Sequence, residues 1–487
     1  MSAARRRPGW VTPVARVGTV GVLAAGVVLG AERLGAVSSG ASPEEAERVA
    51  ATTTTGFCPG DPFASGGDEK TTVDVTGSVA AHAAPSEVLD GVISPSGDPG
   101  RITLSSLSGP PSTPDEAPSS GPTSETADEL EDPIMARGTE EHAPGLVSGQ
   151  SLVAGGEQAT GLAAVPCTAP TADAWLVAGG GEKGRQEHLV LTNPGGNALD
   201  VRVDALGATG EDAERSVVVP AHGREVVLLD GVGGTDAPQV VRVTSSGGLV
   251  VPTIVDRHLD GLTPAGVETV TPTAAPATRH VIPANANGDR RGMVLGAPGD
   301  SDAVVEIRRV DPDGSRSAEV ATVPAGGVAD VELPAGEGVH SWVVESDEPV
   351  VAAAHMTSAG SGAETDMVWS VATPALGTLG GVALPGDLPE DVRRFVEVTA
   401  DGEAAEAEIL VQRDGEISTD EVSLEAGHGT AVSIGAAEAV WVRPTSGSVH
   451  SGVLLTGREG VGDPRATSLP LLPSRIAVRD VDVVHER

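Results

Sequence analysis

The sequence predicts an all-β chain, an N-terminal transmembrane helix followed by tandem immunoglobulin-like β-sandwich domains. Three observations carry the prediction. Short runs of Val, Leu and Ile, often alternating with polar residues, are punctuated by Gly, Pro, Asp and Ser, the pattern of strands joined by hairpins. The runs recur in three copies of roughly 100 residues, the size of a sandwich of about seven strands. No segment of the copies sustains the apolar spacing of three and four that a helix needs.

The first element is basic. Arg5, Arg6, Arg7 and Arg16 precede the apolar run Val17–Ala31. Basic residues stay on the cytoplasmic side, so everything after Ala31 is expected outside. This gives a cytoplasmic tail at 1–10, a signal anchor at 11–34 and a polar stalk at 35–57. Ala36 and Ser38 also permit cleavage, which would leave a secreted chain; the uncleaved anchor is preferred, with the cell membrane as its partner.

Cys58 and Cys167 are the only cysteines. If the chain faces an oxidising exterior, a bridge between them is the natural reading. It would clamp a β region over 58–167, with strand signals at 72–80, 101–107 and 146–154. Between the last two, residues 108–145 carry nine acidic residues, seven prolines and one Arg. A segment this polar buries too little surface to offset its ordering entropy and reads as a disordered insertion. With the "TTTT" run at 52–55, it offers acceptors for O-linked sugars.

The copies follow at 168–275, 276–375 and 376–487. "HLVLTNPGG" (188–196) corresponds to "GMVLGAPGD" (292–300) and "RFVEVTADG" (394–402), aligning Val190 with Val294 and Val396. Later turns at Gly210, Gly314 and Gly415 keep the same spacing. Trp342 and Trp441 stand where the first copy has Val241, which marks a core position inside a strand.

Composition narrows the function. A formal net charge of −38 without a basic stripe excludes nucleic acid as a partner. Lys70 and Lys183 are the only lysines, and the 11 His lie singly, none beside a Cys. "WLVAGGGEKGRQEHLV" (175–190) resembles a phosphate loop at first sight. Yet a strand, not a helix N-terminus, follows the glycines, and the same strand–loop–strand recurs at 281–295 and 382–398. "DPDG" (311–314) reads as a turn, because Arg316 stands where a calcium loop needs Gly. No catalytic, cofactor-binding or metal-ligating residue is assigned. For a sugar platform only Trp175 and Trp369 remain.

Three stretches, "PCTAPTADAWLVAGG" (166–180), "LVLTNPGG" (189–196) and "DGLTPAG" (260–266), carry a family likeness, joined by the N-terminal apolar run and "CPG" at 58–60. They resemble the secreted or membrane-anchored actinobacterial family catalogued as domain of unknown function fifty-seven-nineteen. The resemblance implies an envelope protein without assigned activity. It supports pairing Cys58 with Cys167 and carries over no catalytic residue; the acidic insertion departs from the family.

The expected function is a non-enzymatic, extracytoplasmic scaffold or recognition module of the cell envelope, with an envelope protein or glycan as partner. Its recognition loops would be 178–188, 284–292 and 385–394. The competing expectation is a carbohydrate-active enzyme or accessory module acting on wall polysaccharide; a third is a passive spacer.

Overall fold

The computed structural model describes residues 48–63, 73–109, 123–128, 130–181, 183–207, 213–229, 232, 238–359, 362–386, 388–457 and 462–479. The tail, the anchor and most of the stalk lie outside them. Among the described residues no helix is long and apolar enough to cross a membrane. Strands dominate; among the described residues helix is limited to Ser86–Leu89, the short 3-10 turn Glu140–His142 and Val232.

Repeat one shows the plan. Its eight strands are Asp173–Ala178, Arg185–Asn193, Leu199–Leu206, Ala213–Val219, Gly223–Leu228, Gln239–Ser246, Val251–Asp260 and Thr263–Val270. They form two antiparallel sheets with strand orders 4-3-6-1 and 5-2-7-8. Alternation decides the faces: along Leu199–Leu206, Leu199, Val201, Val203 and Ala205 are buried while Asp200 and Arg202 are exposed. The buried set joins Leu189, Leu191 and Ile254 of the facing sheet in one core.

Repeats two and three have the same two orders. In repeat two the sixth and seventh positions are one continuous strand, His340–Ala359, whose first half pairs in one sheet and second half in the other. Seven-strand immunoglobulin sandwiches keep their sixth and seventh strands side by side in one sheet. Here the sixth and seventh strands always lie in opposite sheets, so the sandwich is present with a strand order of its own. The physical reason is the connection, which runs straight on from one sheet to the other instead of folding back as a hairpin.

The disulfide-clamped region is a further copy. Ile102–Ser106, Ile134–Thr139 and Thr53–Cys58 pair as positions 3-6-1, and Ser124–Ala127, Asp74–His82, Val147–Gly155 and Gly161–Pro166 pair as 5-2-7-8. The fourth position would fall at 107–123, mostly outside the described residues. Two expectations change here. Thr53–Cys58 is a paired strand with Thr54 buried, so the stalk does not extend to 57. The insertion read as disordered is structured at 123–128 and 130–145. Within that acidic stretch Ile134 and Ala136 alternate inward, and their strand is sandwiched between Thr53–Cys58 and Ile102–Ser106. Average composition concealed a short alternating segment.

The four copies close into a ring. The 4-3-6-1 type sheet of each packs on the 5-2-7-8 sheet of the next: Phe57 and Met135 on Val251, Ala284 on Leu454 and Ala466, and Trp441 on Ala80 and Val147 to close the circle. Between repeats one and two the approach is so tight that a Cβ on Gly296 would stand 2.6 Å from Val240 Cγ2. Each eighth strand is thereby drawn to the middle, where Gly161–Pro166 touches Thr263–Val270 and Ala466–Pro470, and both of these border Thr365–Val371 or its neighbours in a closed circuit. Face-to-face sheets around an axis is propeller-like packing, which leaves few open edges. Residues 50–477 form this unit; Arg48–Val49 and Val478–Arg479 belong to a separate short ladder.

Trp342 and Trp441 are buried, as their repeated position predicts. Trp342 fills the core of repeat two, while Trp441 sits against the clamped copy and donates its Nε1–H to Gly145 O at 2.9 Å.

Candidate binding mouth

The axis is sealed at one end by a carboxylate. Asp366 Oδ2 accepts the amides of Leu162 and Ala466, both at 2.8 Å, while Oδ1 accepts those of Met367 at 2.9 Å and Val267 at 3.3 Å. One N–H thus comes from each inner strand. Next to it Glu268 Oε1 accepts Thr269 N at 2.8 Å and Thr467 Oγ1 at 2.9 Å. Both side chains are fully buried, and burial pushes both carboxyls well above the usual carboxylate range against the pull of those donors.

The other end is open. Where the inner strands finish, the chain lines a cavity of about 520 Å³. Pro166 ends the first inner strand and Cys167 follows it; Thr271 to Ala275 follow the second, Ala372 and Pro374 the third, and Leu472 to Arg475 the last. Thr54 and Ser148 of the clamped copy, Trp175 of repeat one and Gly381 of repeat three complete the wall. Its volume falls in the range of small-molecule sites.

The wall is mainly apolar. Asp173 is the one carboxylate on it among the described residues, and Arg242 holds that carboxylate at 2.7 Å while lying over the Trp175 ring, 5.3 Å from its centroid. Two buried hydroxyls on the wall, Thr54 Oγ1 and Thr271 Oγ1, have no hydrogen-bond partner. Such groups cost free energy unless something satisfies them. The Cys58–Cys167 disulfide braces the rim, flanked by Phe57 N to Thr168 O at 2.9 Å and Thr168 N to Phe57 O at 3.1 Å.

The glycine-rich stretch serves a different purpose. Gly179 N and Gly180 N donate to the carboxyl of Glu187, the second at 3.1 Å, so these amides hold an internal acid rather than a phosphate. Burial and the nearby Asp256 push Glu187 up, against the pull of Arg185 and the two amides. In "DPDG", Asp311 Oδ1 accepts Asp313 N at 3.0 Å and its other oxygen faces Arg316, which is turn chemistry. Among the described residues no group of three or more His, Cys, Asp or Glu is placed to hold a metal.

The expected recognition loops lie at the opposite end from the mouth. Gly179, Arg185 and Arg290 line one cavity there; Ala286 to Asp289 and Arg393 line another. The two Trp left as sugar-platform candidates both line cavities, Trp175 the mouth and Trp369 the one between repeats one and two. Sequence reasoning missed the mouth itself. Its one local signal is a proline at, or shortly after, the end of each inner strand: Pro166, Pro272, Pro374 and Pro473.

No curated protein matches the chain. A solved structure described as a tetra-tandem repeat in the extending region of a large adhesion protein is similar at 12% identity, covering 78% of this chain and 92% of its own. Its TM-score of 0.10 carries no argument. The sequence profile of the family of unknown function DUF5719 matches residues 122–435. That match spans more than half of the chain, from the clamped copy into repeat three, and the chain belongs to this family.

Proposed function

We propose that the protein is a non-enzymatic, extracytoplasmic recognition module of the cell envelope that holds a neutral ligand, a glycan or an uncharged peptide segment, in the axial mouth. The observation that carries this reading is the wall: largely apolar, with Thr54 and Thr271 among its lining residues and their buried hydroxyls unpartnered. A ligand with apolar faces and hydrogen-bonding groups satisfies both features. The intact disulfide agrees with an oxidising compartment. Hydrolysis of a glycosidic bond needs two carboxyl groups flanking it; among the described residues Asp173, bound to Arg242, is the one carboxylate on the wall, and this lining favours binding over chemistry.

The test is binding of the whole chain to neutral wall glycans and to uncharged peptides, beside a variant with the mouth filled. Ala275 is exposed on the rim, so Ala275→Trp blocks entry without disturbing the core. Binding by the native protein that Ala275→Trp abolishes supports the reading. Equal binding by both, or none by either, refutes it.

A further inference from the structure

A second cavity, of about 280 Å³, opens where loop 178–188 of repeat one meets loop 284–292 of repeat two. We propose that it binds an oxyanion, the carboxylate or phosphate group of a ligand. The inference goes beyond the mouth and does not depend on it.

Its walls gather basic groups from both copies. Arg185 Nε lies 2.9 Å from Asp256 Oδ1, a second guanidinium nitrogen reaches Oδ2, and Trp369 Nε1 donates to that same Oδ2 at 2.8 Å. The guanidinium also lies 5.9 Å from the centroid of the Trp369 ring. His355 Nε2 stands 3.0 Å from Asp330 Oδ1, its ring 5.1 Å from that of Trp369; His258 lies on the wall as well. Glu187 lies behind the wall with Arg185 Nε 3.7 Å from its Oε1, and burial pushes its carboxyl well above the usual range. Asp256 and Asp330 are each held by a basic partner. Arg290, exposed at the rim, has no ion pair among the described residues. In a chain of net charge −38 this leaves a cation facing a walled space. A guanidinium beside aromatic rings is suited to a planar or tetrahedral oxyanion.

The repeats supply an internal control. Val190, Val294 and Val396 occupy one position, and strand register carries the correspondence outward. Asp330 pairs with Val294 as Val226 pairs with Val190 and Val432 with Val396. By the same counting His355 corresponds to Val255 and Leu455. Trp369, paired with His355, corresponds to Thr269 and Thr467. Asp, His and Trp thus occur together in repeat two, while the matching places in repeats one and three hold aliphatic residues and threonines. The constellation is not a by-product of the repeat.

The experiment follows the indole N–H signals of the five Trp by NMR while the solubilised full chain is titrated with inorganic phosphate and, separately, with acetate. Trp369→Phe assigns the signal of interest. We expect that signal to move saturably while the Trp175 signal in the mouth stays still. Arg290→Ala should weaken binding about tenfold and Arg290→Lys less. Movement with phosphate alone or acetate alone identifies the preferred group. No saturable movement with either probe, or the same affinity in Arg290→Ala, overturns the proposal.

Discussion

Asp366 Oδ2 stands 2.8 Å from the amide nitrogen of Leu162, a residue 204 positions earlier in the chain. The same oxygen accepts the amide of Ala466, 100 positions later, at 2.8 Å. One fully buried side chain thus joins strands from the beginning, middle and end of the ring. Asp366→Ala would leave the amides of Leu162, Val267, Met367 and Ala466 buried and unpaired. Each such group costs about 1–3 kcal/mol, so a loss of more than about 3 kcal/mol is expected in urea unfolding. A loss below about 1 kcal/mol would show that the axis relaxes without its carboxyl.

The Cys58–Cys167 bridge joins residues 109 positions apart in the chain. The chain-entropy account assigns a loop of this size about 4–5 kcal/mol. Reduction, or Cys58→Ala with Cys167→Ala, should lower the unfolding free energy by roughly that amount and loosen the mouth, because Cys167 is part of its wall. An unchanged midpoint under reducing conditions, with thiol labelling confirming the break, would contradict it.

Thr54 and Thr271 separate binding from folding. Val replaces the hydroxyl with a methyl of similar size, and both hydroxyls are buried without a partner. Thr54→Val and Thr271→Val should therefore leave stability unchanged or raise it by up to about 1 kcal/mol each, while weakening the neutral ligand of the mouth. Clear destabilisation by either variant would reveal that its hydroxyl is satisfied in solution.

Glu397 gives the protein a dependence on pH. Its Oε2 accepts Ala284 N at 2.6 Å, and burial pushes the carboxyl from 4.5 up to about 8. The folded chain then keeps a proton that the unfolded chain has released. This favours folding most below pH 4.5, and the advantage is lost progressively as pH rises towards about 8, by up to about 1.4 kcal/mol for each pH step. His340 acts in the other direction: burial lowers it from 6.5 to about 4, so its neutral form stabilises the fold above pH 6.5 and that support is lost as pH falls towards 4. Urea midpoints measured across this range should decline at both ends. Glu397→Gln should lessen the alkaline slope without touching the acid side, leaving the share of Asp366, Glu268 and Glu187, whose carboxyls burial also raises. A native alkaline slope retained in Glu397→Gln would refute the assignment.

Part of this was legible in the residues. Leu199–Leu206 alternates so regularly that its buried face can be read from the letters, and matching Val190 with Val294 and Val396 aligns the sheets residue for residue. The clamped copy was not recognised as a repeat. Its strands at 72–80, 101–107 and 146–154 were visible, but Ile134–Thr139 is embedded in acidic sequence, and the sixth position of the plan disappeared with it. The loops chosen for recognition do border two cavities, because a repeated connection marks the same corner of each copy.

The sequence by itself determined the strands, their period in repeats one to three and the two cysteines that pair, since alternation, turn residues and cysteine count are local properties. Only the tertiary structure decided that the clamped region is a fourth copy, that the copies close on one another, and that Asp366 and the mouth occupy opposite ends of one axis. Those features join residues far apart in the chain, and nothing in the spacing of one strand states which distant sheet will cover it.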